Sequence, residues 1–225
     1  MAAASVASAT TSYIASGTTT GGNTIKAEAD FTFINNQLTL TLKNLLSNPT
    51  SVGQNITDFS FTIASASSGT LSSASAPSTV NVASDGSFVV VPGPVNPGWA
   101  FNFSSGGLFK LDGLAGTNNP AYSIIGPPGG PTYSNANGSI AGNVPHNPFI
   151  NQTATWVFSI PGVTGNTIPT HIIFSFNTTP GDDFSCDLNG GCFDVPEPGS
   201  MVLMSAGLGL LGIGLLRRRF LSPSS

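Results

Sequence analysis

The sequence predicts an all-β protein: an antiparallel β-sandwich of the jelly-roll kind, followed by one C-terminal transmembrane helix. Three observations predict this fold class. Apolar and polar residues alternate with a period of two over several short segments, clusters of Gly, Pro and Asn separate those segments, and an uncharged apolar run lies close to the C-terminus. The 225 residues suffice for one domain with appended signals, so we expect a single core.

The first two predicted strands form a β-hairpin. Every second residue from Ile25 to Phe33 is apolar, and the residues between them are polar, as in a strand with one face in a core and one in water. Asn35 and Asn36 then mark a turn. Leucines at every second position of residues 38–42 resume the alternation, which completes the hairpin.

Further strands are predicted from the same alternation along the chain. These segments are residues 59–63, 80–83, 87–91, 99–103, 155–160 and 172–176. With the hairpin they make about eight strands, and we assign residues 10–179 to the β-sandwich domain. Residues 114–149 are rich in Gly, Pro and Asn, and they are predicted to form a long surface loop.

The composition indicates an extracellular protein that does not bind nucleic acid. Only 7% of the residues are charged, whereas an average soluble domain has about 25%. Uncharged polar residues take the solvating role, which is typical of extracellular surfaces. The net charge is −4, and three of the six basic residues stand together near the C-terminus, so the rest of the chain has no basic patch for phosphates.

The C-terminal apolar run is long enough to span a membrane. It begins at Ser200, ends at Leu216 and contains no charged residue. As a helix it would be roughly 25 Å long, and the flanking residues would complete the hydrocarbon core. Three arginines follow at once, and such clusters stay on the cytoplasmic side. We therefore expect the β domain outside and residues 221–225 as a short cytoplasmic stub.

Residues 195–220 resemble the PEP-CTERM sorting signal, because a Pro-Glu-Pro motif, an apolar helix and an arginine cluster follow one another at the C-terminal end. The matching parts are Pro196, Glu197 and Pro198 as the recognition motif, residues 200–216 as the transmembrane helix, and Arg217, Arg218 and Arg219 as the cytoplasmic stop. In that family the membrane peptidase exosortase recognises and cleaves near the motif. The resemblance implies an exported protein that is first anchored in the inner membrane and then reaches the cell surface or the exterior.

Two further interpretations concern the ends of the chain. The resemblance implies a setting among bacteria that make exopolysaccharide, so exopolysaccharide is a candidate partner. A permanent single-pass anchor is the alternative to cleavage by exosortase. At the other end, residues 1–9 contain an Ala-Ser-Ala sequence that fits a cleavage site. We interpret residues 1–9 as the remnant of a signal-peptide c-region, which implies a start further upstream, with a flexible Ala/Ser terminus as the alternative.

Residues 180–194 are predicted to be a Gly/Asp-rich linker between the last strand and the sorting signal. Cys186 and Cys192 are the only cysteines, and in an oxidising compartment we expect them to form a disulfide. Five oxygen donors that would suit calcium lie in or beside the same stretch: Asp182, Asp183, Asp187, Asn189 and Asp194. Their spacing does not match an EF-hand, so a solvated acidic linker is favoured. The sequence predicts no metal and no cofactor.

The remaining candidate sites are aromatic. Trp99 and Trp156 lie in alternating segments and are predicted to pack in the core. Tyr122 and Tyr133, in the predicted loop, are candidate contacts for a sugar. No nucleophile with a base, no carboxylate pair and no G-x-S-x-G turn is recognisable, so no catalytic residue is assigned. The sequence predicts a non-enzymatic structural or interaction protein; a secreted carbohydrate-binding module is the main alternative and a secreted hydrolase a weaker one.

Overall fold

The computed structural model describes residues 10–19, 21–178 and 182–186, together with the backbone of residues 193–196. Within these ranges the chain forms fourteen β-strands, one 3₁₀ turn at Val52–Gln54 and no α-helix. The strands are β1 (Thr10–Thr18), β2 (Thr24–Ile34), β3 (Gln37–Asn44), β4 (Ile56–Thr62), β5 (Thr70–Val82), β6 (Phe88–Val95), β7 (Ala100–Ser104), β8 (Leu108–Asp112), β9 (Ile124–Ile125), β10 (Phe149–Asn151), β11 (Thr153–Ser159), β12 (Thr170–Phe176), β13 (Asp182–Ser185) and β14 (Phe193–Pro196). The predicted all-β class is confirmed.

The predicted hairpin is formed by β2 and β3. In both strands every second side chain is buried, and the side chains between them are half-buried or exposed. Asn35 and Asn36 have φ angles of 39° and 67°, the left-handed values that a two-residue hairpin turn needs, and Phe33 lies opposite Leu38. Strands β4, β5, β6, β7, β11 and β12 also lie where the alternation predicted them.

The strands form one continuous mixed sheet, whereas an antiparallel sandwich was predicted. The order along the sheet is β13-β12-β4-β9-β10-β5-β11-β3-β2-β1-β14, with β6 paired to β5, β8 to β4 and β7 to β8. The long strand β5 joins the two halves, because its first part pairs with β11 and its last part with β10 and β6. One pair, β9 with β10, is parallel. The strictly antiparallel prediction is therefore wrong for this pair.

The sheet folds over on itself around an aromatic core. The ring centroids of Phe31 in β2 and Phe61 in β4 are 5.1 Å apart, although five strands separate β2 from β4 in the sheet order. Trp99 and Trp156 lie in the same core, as predicted, with ring centroids 5.1 Å apart. Aromatic pairs of this kind add about 0.5–1.5 kcal/mol each beyond the effect of burial.

Residues 114–149, predicted to be a surface loop, contribute a second, smaller core. Tyr133 and Ile140 are buried in this segment, where they pack with Val80 and Val82 of β5. The segment also contains β9, whose two isoleucines are fully buried. Its apolar residues follow neither a two-residue nor a helical period, so the sequence pattern did not reveal that they are buried.

The start of the predicted linker 180–194 belongs to the sheet. Strand β13 pairs with β12 over four residues, from Phe176 opposite Asp182 to Ile173 opposite Ser185. The ring of Phe184 packs on Gly17 of β1, where an added Cβ would lie 3.0 Å from the ring. Since β13 and β1 stand near opposite ends of the strand order, this contact brings the two ends of the sheet together.

Candidate functional site

The Pro-Glu-Pro motif begins at the end of a strand. β14 runs antiparallel to β1 at the edge of the sheet, with Phe193 opposite Ile14 and Pro196 opposite Thr11. Pro196 has no backbone N–H to donate, and edge strands are the places in a sheet that tolerate proline. The first residue of the predicted recognition motif is thus also the last residue of β14.

The rest of the predicted sorting signal lies outside the described residues, namely Glu197, Pro198, the run 200–216, Arg217, Arg218 and Arg219. Residues 1–9 also lie outside the described residues. In the described part of the chain, no helix is long and apolar enough to cross a membrane. Only three residues separate Pro196 from Ser200, and four extended steps cover at most about 14 Å. A helix starting at Ser200 would therefore hold the end of β14 close to the bilayer.

Asp182, one of the candidate calcium ligands, ties β13 to the turn between β1 and β2. Its Oδ1 accepts a hydrogen bond from the N–H of Gly21 at 2.9 Å, and its Oδ2 accepts one from the Asn23 amide at 2.8 Å. Burial opposes ionisation of Asp182, but hydrogen bonds from Thr19, Gly21 and Asn23 outweigh it and lower the pKa of this carboxyl. The carboxylate is occupied by the protein's own donors.

The other residues of the acidic stretch do not form a metal site with Asp182 where they are described. Asp183 is exposed, Asp187 and Asn189 lie outside the described residues, and Asp194 is described only by its backbone. Among the described side chains, no group of three or more His, Cys, Asp or Glu is arranged to hold a metal ion.

Cys186 follows β13 directly and is buried. Its N–H donates a hydrogen bond to the carbonyl of Ile172 at 2.7 Å, and its sulfur is disulfide-bonded. The expected partner, Cys192, lies outside the described residues, so the Cys186–Cys192 pairing stays a prediction. The position of Cys186 means that such a disulfide would hold the end of β13, not a free linker.

The prediction that Tyr133 contacts a sugar is wrong. Its side chain is 1% exposed, its hydroxyl donates to the carbonyl of Gly126 at 3.0 Å, and its ring packs edge-on against Phe88. Burial raises the pKa of this hydroxyl above its usual value. A buried ring has no free face for a sugar to stack on.

Tyr122 is half-buried against the main core. Its φ angle is 64°, its N–H donates to the carbonyl of Pro148 at 2.9 Å, and its carbonyl accepts from Nε1 of Trp99 at 2.9 Å. These contacts hold the backbone of Tyr122 in an unusual conformation. A sugar contact at Tyr122 stays a prediction.

A carboxyl pair that the sequence did not reveal lies where β4 meets β8. Asp58 and Asp112 are opposite each other across these strands, and Asp58 is 8% exposed. Burial, followed by the charge of Asp112, raises the pKa of Asp58 to about 6. Burial also acts against ionisation of Asp112, but hydrogen bonds from Lys110 and Ala115 lower the pKa of Asp112.

The carboxyl pair holds the loop that follows β8. Oδ1 of Asp58 accepts from the N–H of Gly113 at 2.9 Å, and Oδ1 of Asp112 accepts from the N–H of Ala115 at 2.8 Å. The ammonium of Lys110 donates to Oδ2 of Asp112 at 2.7 Å. Each carboxyl is thus engaged with a backbone amide of the same loop, an arrangement that favours a structural role.

The outward surface of β1, β2, β3, β11 and β5, which we call the hydroxyl face, is dominated by Thr and Ser. Two rows cross its strands in register: Thr10, Thr32, Thr39, Val157 and Ser73, and Ser12, Asp30, Thr41, Thr155 and Ser75. Neighbouring strands lie about 4.8 Å apart, so the side-chain oxygens form a regular array. Neither row contains an aromatic residue.

Hydrogen bonds link side chains across this face. The hydroxyl oxygens of Thr10 and Thr32 are 2.6 Å apart, and those of Thr41 and Thr155 are 3.0 Å apart. The ammonium of Lys43 lies 2.6 Å from a carboxylate oxygen of Asp30. Because the same ammonium also pairs with Glu28, the face presents ordered hydroxyl groups next to two carboxylates that share one lysine.

Comparison with protein families finds the PEP-CTERM protein-sorting motif at residues 194–219. This match confirms the predicted resemblance at residues 195–220 within one residue at each end. It covers residues 194–196 of β14 and the tail as far as Arg219, and leaves the rest of the β domain unassigned. A search of curated proteins found no match for the chain.

Proposed function

Because the chain carries a PEP-CTERM protein-sorting motif, we propose that it is a non-enzymatic protein of the cell surface or extracellular matrix that exosortase cleaves after export. The motif implies exosortase-dependent sorting of an exported protein; cleavage and the final location are the proposed steps. The observation that carries the proposal is the position of the motif, which begins in β14 and is followed by the predicted span and the arginine cluster.

We propose that the β domain is a β-sandwich of the jelly-roll kind. The folded-over sheet and its aromatic core support this description, since side chains of β2 and β4 meet across the interior. Low charge and a Thr-rich outer surface agree with a location outside the cell. The engagement of Asp58 and Asp112 with loop amides favours a structural role over acid–base catalysis.

The proposal is tested by expressing the chain behind a cleavable export signal, in a host with and without exosortase, and measuring the mass of the mature protein. With exosortase we expect a product that lacks Arg219; without it, a full-length protein in the inner membrane. Glu197→Ala should block processing, because it removes the only charge of the recognition motif. Asp183→Asn is the matched control, since it removes an exposed acid upstream of the motif.

Two results would contradict the proposal. Arg219 still attached to protein recovered from the culture fluid of the exosortase host would rule out cleavage. Labelling of the β domain only from the cytoplasmic side would rule out the proposed orientation as well, because the arginine cluster should keep the tail inside and the sheet outside.

Contact with exopolysaccharide through the hydroxyl face is the second part of the proposal. Ordered hydroxyls can donate and accept hydrogen bonds to a polymer that itself carries hydroxyl groups. We expect the double variant Thr41→Val, Thr155→Val to weaken binding of the host's purified exopolysaccharide, since Val keeps the shape and strand preference of Thr without its hydroxyl. Thr62→Val, on β4, is the control; equal binding by all three proteins would eliminate this surface.

A further inference from the structure

Strand β6 has a free edge. Its backbone pairs with β5 from Val82 opposite Phe88 to Ala76 opposite Val95. Within the described part of the chain it pairs with no other strand, and residues 88–95 make no backbone hydrogen bond to another loop. The outer edge of β6 therefore presents backbone donors and acceptors that a further strand can satisfy.

The same strand exposes a run of valines. Val89, Val90 and Val91 are 65%, 42% and 43% exposed, and no charged residue lies between Asp85 and Lys110. Natural edge strands are usually protected from further pairing by charges, prolines or bulges. In β6 the prolines stand only in the second half, at Pro92 and Pro94, so residues 88–91 are left unprotected.

A groove beside this strand extends the apolar surface. It has a volume of about 270 Å³, and its lining includes Val82, Phe88 and Val89 together with Val144, which is 81% exposed. Val89 and Val91 project from one face of the sheet and Val90 from the other, and the four exposed valines together expose on the order of 300–400 Å² of apolar area. We call this surface the β6 patch: residues 88–91 with Val144.

We propose that the β6 patch is a self-association surface, on which β6 pairs antiparallel with β6 of a second copy about a two-fold axis near Val90. This register places Val89 of one copy beside Val91 of the other. A strand without charges has no electrostatic preference for a charged partner, and an identical strand matches both its apolar side chains and its length. Two patches with their strand edges bury on the order of 1,000 Å², enough for a weak specific dimer.

The pairing is tested on the exported full chain by disulfide trapping. In an antiparallel pair, residues that face each other have Cα atoms about 4.5–5.5 Å apart, within the range of a disulfide. We expect Val90→Cys to give a dimer on a non-reducing gel. Ile168→Cys is the control, because Ile168 is 71% exposed but lies between β11 and β12. Both variants keep Cys186 and Cys192, so any dimer that forms through these native cysteines is equal in the two variants.

The affinity of self-association is measured by sedimentation of the full chain, with the wild type and all variants in the same detergent. Val89→Lys and Val91→Lys should each weaken self-association at least tenfold, since they place two like charges in an apolar contact. Ile168→Lys should leave self-association unchanged. None of the three substitutions should alter any association through the tail. A monomeric wild type, equal trapping of both cysteine variants, or trapping of Val90→Cys to a different protein would overturn the proposal. None of these results bears on cleavage by exosortase.

Discussion

Asp58 and Asp112 lie opposite each other on β4 and β8, and the two carboxyls differ in their affinity for protons. Burial and the neighbouring charge raise the pKa of Asp58 to about 6, whereas hydrogen bonds from Lys110 and Ala115 lower the pKa of Asp112 against the effect of burial. In mildly acidic solution Asp58 is protonated and can donate to Asp112. At neutral pH both carboxyls are ionised, and the ammonium of Lys110 offsets only part of their repulsion.

This relationship predicts that stability falls as the pH rises through the pKa of Asp58. A group whose pKa is higher in the folded state stabilises the fold below its unfolded value of 3.8, and this contribution is lost as the pH rises through about 6. Asp58→Asn mimics the protonated carboxyl, so we expect it to stabilise the protein above pH 6 by on the order of 1–3 kcal/mol. Urea unfolding as a function of pH measures the effect.

The control for this experiment is Asp85→Asn, because Asp85 is exposed in the turn between β5 and β6. Hydrogen bonds from Ser87 lower the pKa of Asp85, so Asp85→Asn should alter the slope of stability only at low pH and leave it unchanged as the pH approaches about 6. If Asp58→Asn showed the same slope as the wild type, the raised pKa would be disproved.

A second prediction concerns Asp182, whose folded-state pKa is lowered. Its contribution is present above the unfolded value of 3.8 and is lost as the pH falls through the folded pKa. Asp182→Asn would place a second amide against the donors of Gly21 and Asn23, so at neutral pH we expect a loss of about 1–3 kcal/mol. Asp183→Asn, the exposed neighbour, should change stability by less than about 0.5 kcal/mol. Equal effects of the two substitutions would contradict the assigned hydrogen bonds.

A third prediction separates packing from ligand contact at Tyr133. Tyr133→Phe leaves the buried carbonyl of Gly126 without its donor, so we expect a loss of about 1–3 kcal/mol in the free energy of unfolding. Binding to purified exopolysaccharide should be unchanged, because the ring is buried. Weakened binding at unchanged stability would restore Tyr133 as a ligand residue.

A fourth prediction concerns the two cysteines. If Cys186 pairs with Cys192, alkylation of the unfolded protein should label neither cysteine before reduction and both after it, as measured by intact mass. The small loop that this bond closes limits its stabilisation to roughly 2 kcal/mol. Reduction should therefore lower the midpoint of unfolding without abolishing the fold, and labelling before reduction would disprove the pairing.

The elements that the sequence predicted correctly have local causes. The β2–β3 hairpin needs only a period of two and the Asn35-Asn36 turn, and both are visible within twenty residues. The sorting motif is likewise a short contiguous pattern. Strands β9 and β10, with two and three residues, are too short to show a period, so alternation could not reveal them.

The sequence by itself determined the alternating strands, the hydroxyl-rich surface and the sorting tail, because each is recorded in the spacing or hydropathy of neighbouring residues. Only the tertiary structure decided which distant groups meet. Asp58 faces Asp112 because β4 pairs with β8, Asp182 reaches Gly21 where the two ends of the sheet meet, and Tyr133 is buried against Phe88 where residues 114–149 cover β5 and β6. Such contacts depend on strand order and register, which a hydrophobic pattern of period two leaves undetermined.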